Sequence, residues 1–322
     1  MKTRLFLILS SLTMAGLLLT ACAPAGPASS PVAAPTVAAG ATPVPLPPTP
    51  APAAEKPRYG GTLVTQQRAD ASNFDGHQER TFHVQQPLSS AYSMLVQNDP
   101  QDDSKIVPDL AERWEMSPDG KVWTFYLHKG VRFHDGKPAT SADVKVSFDR
   151  IIRPPKGVRS PRAAQLNSVE KIEALDEYTV RFSLKHPQGS FLTMVASPYN
   201  WIYPKHVLEE RGDMTRVVVG TGPFKLKEYS RGVRWDMVKN PDYFVPGRPY
   251  LDGITRYIIS DNAAIFAALR THRVQLLTLQ NHSIRPEERA ILQRESSQVA
   301  SRPGIIAPFR VFFNLTKPPF ND

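Results

Sequence analysis

The sequence has little of the chemistry that catalytic and metal sites require. Its 322 residues include 1 cysteine, Cys22, which excludes a disulfide within this sequence and a metal site built from several cysteines. The 8 histidines are scattered, and no G-x-S-x-G, H-E-x-x-H or phosphate-loop pattern occurs. We therefore expect no catalysis, no cofactor and no bound metal. A secreted hydrolase is the alternative from another class of protein.

Positive charge is in excess, but it is not concentrated. The chain has 39 Lys and Arg against 30 Asp and Glu, a formal net charge of +9 at pH 7. Such a balance is compatible with nucleic acid, an anionic membrane or anionic ligands as partners. The basic residues are scattered with no run of five, so we expect most of them on the solvated surface. Together with the export signal described next, this argues against nucleic acid.

Residues 1–21 have the pattern of an export signal. Two basic residues precede an apolar stretch, 5–19, which is too short to predict a membrane-spanning helix. The stretch runs into LTAC (19–22), which resembles the lipobox of bacterial lipoproteins. The resemblance implies cleavage before Cys22, acylation of its thiol and stable anchoring by two or more acyl chains. An ordinary secreted protein with an unmodified cysteine is the alternative.

Residues 22–57 form a predicted tether. After the cysteine, this segment holds 11 of the 31 prolines, no aromatic residue and almost no charge. Such a composition cannot bury enough apolar surface to fold, and its prolines keep it extended. The folded part is expected to begin near Arg58. The remaining sequence, about 265 residues, is enough for one large domain or two smaller lobes.

One stretch, GVRFHDGKPATSADV (130–144), places His134 beside Asp135 and raises the question of a catalytic or metal site. Apolar residues alternate through 123–127 upstream, which predicts a strand that resumes at 131–133. Asp-Gly then predicts a turn, and Thr-x-x-Asp at 140–143 predicts a capping box at the start of a helix. Neighbouring residues of an extended strand point to opposite faces, so one metal would not readily take both side chains. The local pattern favours scaffold.

Elsewhere the sequence alternates between strand and helix patterns, which predicts a mixed α/β fold without internal repeats. Helical spacing is found at 84–95, 191–196, 263–269 and 285–295. Period-two or apolar strand patterns are found at 60–67, 169–185, 222–240, 254–259, 274–279 and 309–314. The patterns at 169–185 and 222–240 each contain a central turn and predict hairpins.

The order and the residues of several sequence blocks resemble those of the family 5 extracellular solute-binding proteins, the receptors of peptide and nickel ABC importers. The matching blocks are 107–150, 219–229, 240–244 and 312–322, of which the first is long and specific. The resemblance implies a periplasmic-binding-protein-like α/β fold of class II, cluster C. It also implies a binder without enzymatic activity, in which His134 and Asp135 belong to the scaffold.

The resemblance further implies how the chain is divided. Segments 58–93 and 205–306 would build the first ligand-binding lobe on a mixed sheet, and segment 94–204 would be an inserted, β-rich accessory lobe. Residues 307–322 would begin the second ligand-binding lobe. We expect a sequence truncated before most of that lobe.

By the same resemblance, a small set of residues would face the ligand cleft. These candidate ligand-binding residues are Arg80, Phe82, Gln280, Asn281, Arg310, Phe312 and Asn314. Each has an ordinary alternative: Phe312 as a core residue, Asn281 as a turn residue, Arg80 as a solvated surface residue. Peptide-binding members can use an acidic residue near position 80, so Arg80 weakens the assignment to plain oligopeptides.

The expected function is that of an exported receptor, lipid-anchored on the periplasmic or extracellular face of a membrane. It would capture a small solute, with oligopeptides as the foremost class, and deliver it to the permease subunits of an ABC importer. Oligosaccharides and metal chelates stay open as solutes. A lipoprotein chaperone or adhesin on the same fold is a further alternative.

Overall fold

The computed structural model describes residues 57–102, 104–277 and 285–295. These residues contain the strands β1 (Thr62–Gln67), β2 (Val96–Asn98), β3 (Ile106–Pro108), β4 (Ala111–Met116), β5 (Val122–Leu127), β6 (Val169–Asp176), β7 (Thr179–Leu184), β8 (Phe224–Ser230), β9 (Arg234–Lys239) and β10 (Gly253–Ile258). They also contain the helices α1 (Phe82–Leu88), α2 (Ser141–Ile152), α3 (Phe191–Val195), α4 (Lys205–Arg211), α5 (Asn262–Arg270) and α6 (Pro286–Glu295). The predicted mixture of helices and strands is confirmed.

The first sheet joins the beginning of the folded chain to its later part. Its order is β1-β10-β9-β8, with β1 parallel to β10 and the other two pairs antiparallel. Strands β2 to β7 lie between β1 and β8 in the sequence but belong to other sheets. The structure therefore has the predicted mixed sheet with a β-rich insertion, and the 222–240 hairpin is confirmed.

The second sheet is antiparallel, with the order β4-β5-β7-β6. Trp123, Phe125 and Leu127 of β5 are all buried, as their period-two spacing predicts. Helix α2 covers this buried face, since the ring of Phe148 lies 5.1 Å from the ring of Phe182 on β7. The strand predicted at 123–127 and the hairpin predicted at 169–185 are both confirmed.

Helix α2 begins where the predicted capping box places it. The N–H of Thr140 donates to Oδ2 of Asp143 at 2.8 Å, and both halves of the capping box are present. The same carboxylate accepts a hydrogen bond from the backbone N–H of Lys205 at 2.7 Å, through its other oxygen. One aspartate therefore starts α2 and ties it to the start of α4.

Two hydrophobic cores lie on the two sides of α2. Phe148 and Ile151 belong to the core of the second sheet, while Val146 packs against the core that contains Trp235 and Tyr203. Because protein interiors are close-packed, a helix with side chains in both cores holds the two cores in a fixed position relative to each other. The lobe boundaries at residues 94 and 204 stay a prediction.

Two local predictions were wrong. Helical spacing over 84–95 predicted one helix, but α1 ends at Leu88. Beyond it the chain runs against the backbone near Gly220 and Gly222. The N–H of Gly222 donates to the carbonyl of Ala91 at 3.0 Å, and a Cβ on Gly220 would lie 2.0 Å from that same oxygen. The strand predicted to resume at 131–133 is reduced to a single bridge between Arg132 and Pro138.

The predicted strand 274–279 is only partly described. Leu276 forms an isolated parallel bridge with Thr65 of β1, and residues from 278 to 284 lie outside the described residues. The predicted strand at 309–314 lies outside them too, as do residues 1–56, which hold the predicted signal and all but the last residue of the predicted tether.

Candidate functional site

The segment that follows β1, residues 68–81, is called the β1 loop below. Strands β1 and β10 are parallel, so their carboxyl ends share one edge of the first sheet. In open α/β sheets, ligands bind outside the carboxyl ends of such strands. The β1 loop begins at this edge and carries Arg80, and Phe82 follows directly after it. It is therefore the part of the described structure where a ligand site is expected.

The start of the β1 loop is fixed to the β8–β9 turn by Asp70. Its carboxylate accepts hydrogen bonds from the Tyr229 hydroxyl at 2.7 Å, from the Gly232 N–H at 2.7 Å and from the Trp235 indole at 3.3 Å. Hydrogen bonds to a carboxylate are stronger than neutral ones. The loop therefore leaves the sheet along a defined path.

The middle of the β1 loop carries a buried ion pair. The carboxylate of Asp75 lies 2.5 Å and 3.2 Å from the two terminal nitrogens of Arg150 on α2, and both side chains are almost fully buried. Gln78 donates a further hydrogen bond to the same carboxylate at 2.9 Å. Burial alone would raise the pKa of Asp75, but the charge and hydrogen bonds of Arg150, with the hydrogen bond from Gln78, hold the pKa below its usual value. The carboxylate is therefore ionised and engaged.

His77 is a structural residue in this loop. Its ring stacks on Tyr203 with centroids 4.0 Å apart, and its Nε2 lies 2.8 Å from the carbonyl oxygen of Trp201. Burial is the largest influence on the ring and lowers the pKa of His77 to about 3. The imidazole is therefore neutral at physiological pH, and Nε2 donates its proton to the carbonyl.

The backbone of the loop is held as firmly as its side chains. The N–H of Gly76 donates to the Tyr203 hydroxyl at 2.8 Å, and a Cβ at this position would lie 2.3 Å from the ring of Trp201. Arg162 donates to the carbonyl of Gly76 and, at 2.8 Å, to that of Glu79. A side chain at position 76 would therefore displace the loop.

Arg80 and Phe82 lie at the exposed end of this ordered segment. Arg80 is exposed, and Phe82, the first residue of α1, keeps 41% of its surface accessible. An exposed aromatic ring and an exposed guanidinium next to a fixed backbone provide an apolar contact and a cation for a ligand. The other predicted ligand-binding residues are Gln280, Asn281, Arg310, Phe312 and Asn314. They and Cys22 lie outside the described residues. That the seven predicted ligand-binding residues meet in one cleft therefore stays a prediction.

The residues that fix the loop were missed in the sequence. Asp75, Arg150, Arg162 and Trp201 lie far apart along the chain, and each is compatible with a surface or core position. The only visible signal was FDGHQ at 74–78, in which an aspartate and a histidine flank a glycine. That signal indicates a turn, but it does not identify the partners on α2 and beyond.

The predicted scaffold role of His134 and Asp135 is supported by their contacts. His134 Nε2 lies 3.0 Å from the Gly222 carbonyl, and its Nδ1 accepts from the Gly220 N–H at 3.4 Å. Asp135 instead contacts Nε2 of His206 at 2.6 Å. The two neighbours therefore have different partners and do not form one site.

Among residues 57–102, 104–277 and 285–295, no group of three potential metal-ligating His, Cys, Asp or Glu side chains comes together. Within the same ranges, the helices are all too short or too polar to cross a membrane.

Residues 105–322 match the family model of bacterial extracellular solute-binding proteins, family 5 Middle. The chain is 31% identical over 238 residues to Di/tripeptide-binding protein 2 of Pseudomonas aeruginosa, covering 67% of this chain and 44% of the relative. It is 31% identical over 246 residues to the probable D,D-dipeptide-binding periplasmic protein DdpA of Escherichia coli, covering 72% and 45%.

Solved structures have the same fold. The periplasmic binding protein DppA of Helicobacter pylori, in complex with the peptide STSA, has a TM-score of 0.66 at 31% identity and covers 74% of this chain and 49% of that one. MoaA of A. tumefaciens R10, in complex with mannopinic acid, has a TM-score of 0.70 at 29% identity and covers 82% and 53%. The periplasmic-binding-protein-like fold is confirmed.

The mixed sheet with its β-rich insertion and the ordered β1 loop define a solute-binding fold. The chain belongs to family 5 of the bacterial extracellular solute-binding proteins. This confirms the predicted family. The chain spans about half the length of the curated relatives that it matches.

The Asp75–Arg150 pair yields a prediction about stability. Replacing Arg150→Met leaves a buried carboxylate without its cation, so the free energy of unfolding should fall by about 3–5 kcal/mol. The control is Arg153→Met, directly after the same helix, whose guanidinium is half exposed and pairs with Asp149. It should cost at most about 1 kcal/mol. Urea unfolding followed by circular dichroism measures both, and equal losses would contradict the assigned role of Asp75–Arg150.

His134 yields a prediction about pH. Burial, the largest influence, lowers the pKa of His134 from 6.5 to about 4. Between these values the unfolded chain binds more protons than the folded one, so stability is present above pH 6.5 and is lost as the pH falls towards 4. His134→Asn should flatten the profile in this window by about 1 kcal/mol per pH unit. His186→Asn, at an exposed position, is the control and should retain the slope of the parent. An unchanged slope in His134→Asn would refute the prediction.

Proposed function

We propose that the complete protein is a lipid-anchored substrate-binding receptor of an ABC importer. It captures a peptide-like or other small solute and delivers it to a membrane permease. The observation that carries the proposal is the β1 loop of a family 5 fold, held rigid by buried contacts while Arg80 and Phe82 stay exposed at its end.

The rigidity of this loop favours binding because it lowers the entropic cost of capture. A loop that already has its bound conformation loses little freedom when a ligand arrives. Gly76 and Asp75 are tied to residues of two other segments, Tyr203 and Arg150. The exposed end of the loop is therefore presented to the ligand as a formed surface.

The proposed mechanism is capture between two lobes followed by closure. Segments 58–93 and 205–306 form the first ligand-binding lobe in this proposal, and 94–204 is the accessory lobe. Residues 307–322 begin the second ligand-binding lobe, and hinge closure over the solute buries it between the lobes. Gln280 and Asn281 line the cleft from the first lobe, and Arg310, Phe312 and Asn314 do so from the strand that crosses towards the second lobe. No covalent step is involved.

The relatives support a small solute of peptide-like character. One is named a di/tripeptide-binding protein and another a D,D-dipeptide-binding protein, and several are named glutathione-binding proteins. Two similar structures contain agropinic acid and mannopinic acid. A cation at position 80 attracts a carboxylate better than an ammonium group. We therefore place short peptides and related amino-acid conjugates with a free carboxylate first among the solutes.

The lipid anchor and the location are part of the proposal. Acylation of Cys22 after removal of residues 1–21 would hold the receptor on the periplasmic or extracellular face of a membrane. Residues 22–57 would then act as an extended tether, long enough to let the folded part reach a permease in the same membrane.

Binding by the complete natural protein tests the solute assignment. Isothermal titration with di- and tripeptides, glutathione and acidic sugar–amino acid conjugates should identify at least one ligand. Arg80→Gln and Phe82→Ala should each weaken its binding about tenfold or more, equivalent to roughly 1.4 kcal/mol. The controls are Met116→Ala, at the end of β4, and Lys121→Gln, directly before β5, both at exposed positions. Equal affinities for all four variants would exclude the β1 loop from the site.

The anchor is tested in cells by the variant Cys22→Ala. The parent protein should fractionate with membranes and be labelled by a radioactive or alkyne-tagged fatty acid. The variant should lose the label, and the protein should move to the fraction that is not membrane-bound. Labelling that persists in Cys22→Ala would place the acyl group elsewhere. A parent protein without label would favour the alternative of an ordinary secreted protein.

A further inference from the structure

A second concave feature lies away from the β1 loop. It is a pocket of about 220 Å³ between the short β2–β3 sheet and the segment that follows β9. Its lining residues are Gln97, Pro108, Asp109, His128, Tyr243, Phe244, Val245 and Pro246. We call it the Asp109 pocket. None of these residues belongs to the β1 loop, so the pocket is separate from the proposed solute site.

Three rings form an aromatic wall in the Asp109 pocket. The rings of Tyr243 and Phe244 have their centroids 4.8 Å apart at an interplanar angle of 58°, and the His128 ring lies 5.3 Å from Phe244 at 39°. Tilted aromatic neighbours present both ring faces and ring edges to the space between them. Ring faces of Tyr and Phe attract cations through their negative quadrupole.

The charge in the pocket comes from Asp109. Its Oδ2 accepts the Met94 N–H at 2.7 Å, which fixes the position of the carboxylate. Burial raises the pKa of Asp109 to about 7, and hydrogen bonds from Met94 and Ser93 act in the opposite direction. No cation of the described residues is among the groups that shift this pKa, in contrast to Asp75 with its arginine. A partly buried carboxylate without a counter-ion favours a cation from outside.

Other charged groups surround the pocket without neutralising Asp109. The Glu112 carboxylate lies 3.8 Å from Nδ1 of His128 and adds negative charge on that side. The nearby Arg248 stacks over the Tyr250 ring at 4.9 Å. Both Arg248 and Tyr250 line a different pocket, which shares Tyr243 with this one. The balance at the Asp109 pocket is therefore negative and aromatic.

We propose that the Asp109 pocket is a second binding site, and that its ligand is a small organic cation with a primary or methylated ammonium group. The carboxylate supplies the charge partner, and the rings of His128, Tyr243 and Phe244 contact the methyl or methylene groups. A pocket of about 220 Å³ has room for an ammonium head group with its methyl groups. The proposal does not depend on the solute of the β1 loop.

The test uses choline and its neutral isostere 3,3-dimethyl-1-butanol, which has a carbon in place of the nitrogen. Both are titrated into the complete natural protein by isothermal calorimetry and by NMR. Choline should bind at least tenfold more tightly than the isostere, with shifts at the residues of the pocket. Equal affinities, or no binding of choline at millimolar concentration, would overturn the proposal.

Two variants and a control locate the site. Asp109→Asn keeps an oxygen for the Met94 N–H and should weaken choline binding at least tenfold, while Tyr243→Leu should weaken it severalfold through the lost ring. Asp242→Asn, at an exposed position directly before Tyr243 that does not line the pocket, should bind choline like the parent. Thermal unfolding checks that each variant is folded. If Asp109→Asn does not fold, the choline affinity of Tyr243→Leu tests the proposal. Choline binding that both pocket variants retain would place the cation elsewhere and refute the assignment.

Discussion

The buried ion pair between Asp75 and Arg150 is the interaction on which the described structure depends most. It joins a loop at the edge of the first sheet to the helix that covers the second sheet, and so connects two hydrophobic cores. Removing both charges from water is costly, and the cost is offset only when geometry and further hydrogen bonds are good. Here two contacts from Arg150 and one from Gln78 supply them. The pair therefore fixes the position of the loop more than it adds stability.

The aromatic residues behind the loop extend this constraint. Tyr203 stacks on His77 and receives the Gly76 N–H, while the Trp201 ring occupies the space that a Cβ at position 76 would need. Trp201 in turn stacks on Tyr92, with centroids 4.9 Å apart. Each contact restricts the same few backbone atoms from a different direction. An exposed segment with so many buried attachments is suited to binding, because its surface is formed before the ligand arrives.

Sequence patterns predicted the parts of the fold whose causes are local. The alternation in β5, the hairpins and the capping box at Thr140 depend on neighbours a few residues away, and all of them are confirmed. The helix predicted over 84–95 was wrong because a contact with distant glycines decides where the chain turns. In the same way, the candidate site could be predicted only as Arg80 and Phe82 on a loop. The partners on other segments lie 75 or more positions from the loop residues that they contact, and no spacing rule connects them.

Two aspartates with opposite pKa shifts show how structural and available charges differ. Asp75 is fully buried and Asp109 partly buried, and burial alone raises the pKa of each. For Asp75, the adjacent guanidinium reverses the shift, and the charge of the carboxylate is already paired within the fold. For Asp109, two hydrogen bonds leave the pKa raised, so its ionisation still has a cost that a bound cation would remove. Because the first carboxylate has its counter-ion within the chain and the second borders an open pocket, only the second has electrostatic attraction left for a ligand.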